Sequence, residues 1–380
     1  LTDVTGVQTC ALPIYPALPV VTMTVALNGG SRYEPAELTG LSELTARMWT
    51  QGTRTRSAEE IARQVEEMGG GLSGFSGRNS LGLQMSLLSD DLPAGLEILL
   101  DVLRNPAFPA AELATEKDKM LTAIKARDDR ISSVGNKLLR ELLFRDNPLR
   151  REALGTLETV DRITRADVRG FYDRLFAPAN LVVTVFGNFE AEQVRAALRK
   201  GLGALPPRDL EQVAFADEPL TEPRSRSLRA DKEQAFVAVG FQGVDLYDPD
   251  RYGLDVLASI LGSSFNGRMF ITIREQMGAA YTLGGGFSPA RDGGIIAFQA
   301  STTDENVEAV RDKIFALIED IRENGVSGEE LQAMKTYMKG TFAMGLETDG
   351  AVAFMSGLDE LYGLGYDYYQ GVPAGIDAVT

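Results

Sequence analysis

Histidine is missing from this chain altogether: none of its 380 residues is one. That excludes imidazole as a metal ligand and as a general base, so no serine–histidine hydrolytic unit can be assembled from this chain. There is one cysteine, Cys10, and an internal disulfide framework is therefore excluded. Positive charge is scarce, with 38 Lys and Arg against 54 Asp and Glu, a net charge of −16. A phosphate-backbone partner needs a clustered basic surface, and this balance argues against nucleic acid. No apolar run approaches the length of a membrane span, so no transmembrane segment is expected. No G-x-S-x-G elbow is present. The glycines Gly69, Gly70, Gly71 and Gly77 are not followed by G-K-[ST], so they read as a helix end and a tight turn rather than a phosphate loop.

What is present is ordinary globular material, 44% hydrophobic and 24% charged. Val20–Leu27 is β-branched and apolar and reads as a strand ended by Asn28-Gly29-Gly30. Residues 38–51 read as a helix. Ser57 and Glu60 form a capping-box pattern that opens another, which Gly69-Gly70-Gly71 stops. Strands are expected over 72–77 and 81–88, and helices over 90–104 and 109–128. Thr164–Asp167 opens a further helix, running to about Phe176. The continuous apolar stretch Leu181–Gly187 reads as a buried strand. Phe236, Phe241, Tyr247 and Tyr252 are expected in core or interdomain packing rather than in a ligand box.

The pattern then repeats. Met68-Gly69-Gly70-Gly71 has a counterpart in Met277-Gly278-Ala279-Ala280, and the helix opening at Pro109–Glu112 has one in the capping pattern Ser327–Glu330. Two copies of one unit of roughly 200 residues are expected, each an α+β layer on an antiparallel-type sheet. Pro206, Pro207, Pro219 and Pro223 mark residues 206–227 as the linker between an N-terminal domain, 15–205, and a C-terminal domain, 228–380. Ile376–Thr380 matches Val160–Thr164, after which the first copy continues into a helix and a strand. The second repeat is therefore expected to be truncated at its C-terminus, and the chain to express poorly for lack of a strand neighbour. Residues 1–14 look like a translated sequencing adapter, since Ala11-Leu12-Pro13-Ile14 is what GCT-CTT-CCG-ATC encodes.

The segment Thr39-Gly40-Leu41-Ser42-Glu43-Leu44-Thr45-Ala46-Arg47-Met48-Trp49-Thr50-Gln51-Gly52-Thr53 resembles the T-G-L-A-H-x-x-E-H-M-x-x-x-G-T segment of the insulinase-like (pitrilysin, M16) metallopeptidases. Gly30–Pro35, Leu154-Gly155-Thr156, Phe171–Arg174 and Pro178–Leu181 also resemble that family, in family order. The resemblance implies two α/β-sandwich (LuxS/MPP-like) repeats. It also implies where an active member keeps its chemistry. Glu43 and Arg47 stand where two zinc-binding histidines belong, and Ala46 where the glutamate base belongs. Ala123 stands where a distant glutamate would complete the site. Glu43 and Arg47 share a helix face, but arginine stays protonated and offers no lone pair to a cation. They are expected to form a surface ion pair of only a few tenths of a kcal/mol. The nearby acids Glu116 and Asp118 are expected on a solvated helix face. No metal site and no catalytic residue is expected in this chain.

The second half keeps what the first has lost. Arg274 and Tyr281, with Ser263–Phe270 before them, resemble the family's arginine–tyrosine pair. The resemblance implies that this pair contacts the substrate backbone and stabilises an oxyanion at a zinc site held by another half. Arginine supplies a fork of donors and a fixed charge, and tyrosine a rigid hydroxyl. The resemblance therefore implies a substrate-binding, zinc-free subunit paired with a zinc-motif-bearing M16 chain, the zinc lying on that partner and unfolded peptides being the substrates. The alternative is an inactive scaffold homologue. The family resemblance also suggests the bacterial periplasm or cell envelope.

Overall fold

The structure, a computed structural model, describes residues 2–4, 7–11, 18–203, 205, 206, 208, 210 and 213–380. Of the segment expected to derive from an adapter, residues 1, 5, 6 and 12–14 lie outside that description. Residues 207, 209, 211 and 212 of the expected linker do too.

The described strands are β1 (Thr2–Val4), β2 (Val7–Ala11), β3 (Val20–Asn28), β4 (Gly71–Ser76), β5 (Ser80–Leu88), β6 (Leu181–Gly187), β7 (Ala235–Gly243), β8 (Ala280–Ala290) and β9 (Gly293–Thr302). The helices are α1 (Leu41–Trp49), α2 (Ala58–Glu67), α3 (Leu92–Arg104), α4 (Ala110–Asp128), α5 (Ile131–Leu143), α6 (Leu157–Arg162), α7 (Arg165–Leu175), α8 (Ala191–Leu202), α9 (Arg251–Gly262), α10 (Val307–Asn324), α11 (Gly328–Gly345), α12 (Asp349–Leu361) and α13 (Val372–Ala378). The helix read over 38–51 is shorter at both ends, with a 3-10 turn, Ala36–Leu38, ahead of it.

The chain forms two compact units that are not contiguous in sequence. Unit 1 takes Leu1–Ile124, Glu152–Val213 and Met344–Gly371, and unit 2 takes Lys125–Arg151, Ala214–Ala343 and Val372–Thr380. This differs from the contiguous division at 206–227 in one exchange: α5 joins unit 2 and α12 joins unit 1.

Unit 1 is built on a sheet ordered β1-β2-β6-β3-β5-β4, antiparallel except where β2 runs parallel to β6. Alternation along β3 sends Val21, Met23, Val25 and Leu27 into a helix-covered apolar core with Leu44, Met48 and Trp49 of α1. The opposite face carries Thr22, Thr24 and Thr184, small enough for a helix backbone to approach. Helix α12 lies there. Thr184 Oγ1 donates to the Ala353 carbonyl at 2.7 Å, and Gln84 Nε2 donates to the Gly350 carbonyl at 3.1 Å. A Cβ at Gly357 would sit 3.2 Å from Thr184 Oγ1, so this helix touches the sheet through its small residues.

Unit 2 repeats the plan on a sheet ordered β7-β9-β8. Val239, Ile273, Phe298, Val310 and Ile314 form its main core. Helix α5 covers the other face: a Cβ at Gly135 would meet the Phe236 ring at 2.2 Å, and Asn136 Nδ2 donates to Gln299 Oε1. No strand pairs with the free edge of β7 among the described residues, so β6 has no counterpart there.

The repeat reaches the backbone. Gly69 and Gly278 both adopt φ +61°, each turning the chain from a helical segment into a strand. Both capping boxes at Ser57 and Thr164 form. At Ser327 only the hydroxyl half is made, accepting from the Glu330 amide, because Arg268 takes the Glu330 carboxylate through Nε and Nη2. Two aromatic expectations need correcting. Tyr247 and Phe241 are exposed, whereas Phe236 and Tyr252 pack against Gly135 and Gly375.

Asp255 on α9 is half-buried, and burial pushes its carboxyl up, the charge of Arg251 only partly offsetting this. An acid with a raised folded-state pKa makes the fold less stable as pH rises from the unfolded value, near 3.9, through the folded one. Asp255→Asn should therefore raise the melting temperature at pH 7, with the gain vanishing below about pH 3. Paired thermal melts across that range check this, and a difference independent of pH would contradict it.

Candidate functional site

Helix α1 is fixed from both ends. The buried Glu34 carboxylate accepts from the Gly40 amide at 3.2 Å and from the Ser42 amide at 2.7 Å, placing negative charge at the helix start. Gly40 enters at φ +95°, which favours glycine. At the other end Trp49 is 1% exposed, its Nε1 donating to the Val102 carbonyl at 3.1 Å and its ring meeting Tyr172 edge-on at 5.5 Å. After Gly52 the Thr53 hydroxyl donates to Asp101 Oδ2 at 2.7 Å. Burial pushes the Asp101 carboxyl up, but bonds from Asn105, Thr53, Thr55 and Arg56 outweigh it and hold the group below its usual range. The Gly-Thr end of the motif thus anchors the loop to α3.

The held helix presents an ion network where the motif would place a metal. Arg47 Nε donates to Glu43 Oε1 at 2.7 Å, in the favourable order of acid before base at i,i+4. Arg47 Nη1 lies 3.9 Å from Glu116 Oε2, and Lys119 Nζ pairs with Glu116 Oε1 at 2.7 Å. Glu116 is 5% exposed, so the expectation of a solvated helix face was wrong for it. Its neighbours on α4, Met120 and Ile124, are buried in the unit 1 core, and the same stripe carries Glu116 inward. The Glu43–Arg47 pair is correspondingly not a plain surface pair, its side chains being 20% and 33% exposed. Ala46 is buried, with its carbonyl close to Gly74 of β4. Ala123 follows Glu116 by seven residues along α4 and offers no donor atom.

These residues do not fit a zinc ion. Arg47 brings a fixed cation with no lone pair, and Ala46 and Ala123 bring no base and no carboxylate. Among the described residues no group of three or more His, Cys, Asp or Glu is arranged to hold a metal ion.

Arg274 and Tyr281 lie together in unit 2. Arg274 sits in a π-helical segment, Phe270–Gln276, and its guanidinium carbon lies 4.7 Å from the centres of both the Phe270 and Tyr281 rings. Tyr281 falls at an irregularity of the β8–β9 ladder: Ala280 faces Thr302 and Thr282 faces Ser301, so Tyr281 is the extra residue of a bulge. A π-segment and a bulge both re-aim side chains, and both recur at functional sites. Tyr281 is 80% exposed. Among the described residues no acceptor satisfies the Arg274 guanidinium, which is held only by the two rings. Arg268 contrasts with it, its guanidinium taken by Glu330, Asp320 and the Gly325 carbonyl. The sequence reading missed Phe265 and Phe270 as members of this cluster. Their rings meet edge-on at 5.0 Å, and Phe265 is 76% exposed. Five-residue spacing is not a regular α-helical contact, so helical periodicity could not have paired them.

Known proteins resemble this chain in sequence and in fold. The family model described as insulinase (peptidase family M16) matches residues 11–157, and that described as peptidase M16 inactive domain matches 162–338. A Bacillus subtilis protein named as an uncharacterized zinc protease is 27% identical over 350 residues, spanning 91% of this chain and 84% of the relative. A similarly named protein of Streptomyces coelicolor is 28% identical over 361 residues, spanning 91% and 77%. The crystal structure of a peptidase M16 inactive domain from Pseudomonas fluorescens superposes with TM-score 0.90 at 21% identity, covering 100% of this chain and 91% of that one. That of a protease from Helicobacter pylori gives 0.91 at 17%, covering 100% and 92%.

Proposed function

The chain belongs to the insulinase-like (M16) peptidase family, and from that premise we propose that it is a zinc-free, substrate-binding subunit of a two-chain peptidase, serving a zinc site carried by a second M16 chain. The observation that carries this reading is the contrast between its two candidate sites. The zinc position is filled by the Glu43–Arg47–Glu116 network, whereas Tyr281 is exposed and Arg274, half-buried against the Phe270 and Tyr281 rings, has no acceptor among the described residues. Simple loss of function would not by itself keep a guanidinium that has no acceptor among the described residues against two rings on an acidic protein.

In this role the Arg274 fork takes a backbone carbonyl of an unfolded peptide, and the Tyr281 hydroxyl donates to the oxygen that gains charge as the peptide bond is attacked. Both donors are preorganised, Arg274 by its rings and Tyr281 by the bulge. Preorganised donors stabilise developing charge without reorganising during the reaction. The test is to mix this chain with a zinc-motif M16 chain from the same genome and follow peptide cleavage. Arg274→Ala and Tyr281→Phe should each lower kcat by about 10²–10³-fold, the scale of losing one oxyanion donor. Binding of the two chains, measured separately, should be unchanged. A pure scaffold would instead give unaltered kcat in both variants.

A further inference from the structure

A cavity of about 370 Å³ opens in unit 1 beside the loop that follows α1, with Gln51, Gly52, Arg54, Pro109 and Glu112 in its lining. Its frame is fixed. Thr53 Oγ1 accepts from the Thr55 and Arg56 amides at 3.1 and 2.9 Å, and the Thr55 hydroxyl donates to Asp101 Oδ2 at 2.8 Å. The Arg54 amide donates to the Asn105 carbonyl at 3.1 Å. Gly52 holds φ +118°, and a Cβ there would stand 3.4 Å from the Arg56 carbonyl oxygen and 3.5 Å from Pro109 Cγ, between two residues that line the cavity. The Arg56 guanidinium is committed to Glu97 and Asp101. Arg54 differs from it. Among the described residues the side chains of Gln51, Arg54 and Glu112 have no hydrogen-bond or ion-pair partner, and Arg54 and Glu112 line one space without pairing with each other. A simple anion is a poor match. The start of α2 also borders the cavity, but the Glu60 carboxylate already accepts from the Ser57 amide there at 2.7 Å, and Glu112 adds a second negative charge.

We propose that this cavity binds a small zwitterion, a free α-amino acid or a dipeptide, with Arg54 taking its carboxylate and Glu112 its ammonium. A planar guanidinium matches a carboxylate through two parallel bonds, and an ionised carboxylate offers an ammonium only acceptors. The Gln51 amide supplies both a donor and an acceptor for the polar atoms that remain, and the Pro109 ring gives an apolar wall. The volume lies at the small end of ligand pockets, about 300–1,000 Å³, which suits a ligand of this size. The site uses neither the Glu43–Arg47–Glu116 network nor Arg274 and Tyr281, so it stands apart from the peptidase reading.

The experiment is isothermal titration calorimetry on this chain alone, with leucine, glycylleucine, N-acetylleucine, leucinamide and inorganic phosphate as probes. Leucine or glycylleucine should bind, the tighter of the two fixing the length of the ligand. N-acetylleucine, which lacks the ammonium, leucinamide, which lacks the carboxylate, and phosphate should each bind at least about tenfold more weakly. Arg54→Gln and Glu112→Gln should each weaken the zwitterion by about 10- to 100-fold, the scale of one lost charge-assisted bond, with the melting temperature unchanged. The two variants should also differ in kind: Arg54→Gln brings leucine level with leucinamide, and Glu112→Gln brings it level with N-acetylleucine. No saturable binding of either zwitterion up to about 10 mM would overturn the site. So would zwitterion binding that both variants leave unchanged, or phosphate binding as tightly as the zwitterion.

Discussion

Trp49→Ala is expected to destabilise unit 1 by about 3–5 kcal/mol, the range for truncating a fully buried large aromatic. The indole is 1% exposed, spends its only donor on the Val102 carbonyl, and packs edge-on against Tyr172. Truncation opens a cavity at the end of α1 and leaves the Val102 carbonyl without that bond. The consequence reaches the site, because α1 carries Glu43, Ala46 and Arg47. Denaturant unfolding followed by circular dichroism should show a marked fall in the midpoint of the unit 1 transition. Hydrogen exchange should show lost protection along α1. A change below about 1 kcal/mol would mean that this core packs loosely, against the burial described.

The second large effect is a gain. A variant carrying Glu43→His, Ala46→Glu, Arg47→His and Ala123→Glu should bind about one equivalent of zinc, whereas the natural chain should bind none. The reasoning is geometric. The i,i+4 spacing on α1 is already that of a two-histidine ligand pair. Glu116, seven residues before Ala123 on α4, already reaches within 3.9 Å of Arg47, so α4 faces α1 at this point. Removing Arg47 takes away the fixed cation that repels a metal. Metal analysis of the purified, folded variant after removal of excess zinc checks the prediction. A folded variant that holds no zinc would show that the helices have diverged from a metal-binding arrangement, not only the side chains.

Much of this was legible from residues alone because the signals are local. The strand at Val20–Asn28 follows from its β-branched run, and the helix starts at Ser57 and Thr164 from their capping patterns. Gly69 and Gly278 marked the repeat because both occupy a backbone conformation that favours glycine. The exchange of α5 and α12 was not legible. Which sheet a helix covers is decided by small residues far apart in sequence, such as Gly357 with Thr184 and Gly135 with Phe236. At the sites, the altered ligand positions were readable one by one. The burial of Glu116, and its approach to Arg47, required the packing of α4 in the core. The approach of Arg274 to the Phe270 and Tyr281 rings depends on a π-segment and a bulge, neither of which has a dependable periodic signature.

The proposed division of labour has this chain hydrolyse nothing alone and complete a site on another chain. It is tested most directly by titrating this chain into a fixed amount of a zinc-motif M16 chain from the same genome while measuring the initial rate of peptide cleavage. The account predicts no cleavage by this chain alone, a low rate for the zinc-motif chain alone, and a rate that climbs and saturates at one equivalent. A rate that is the same with and without this chain would contradict it.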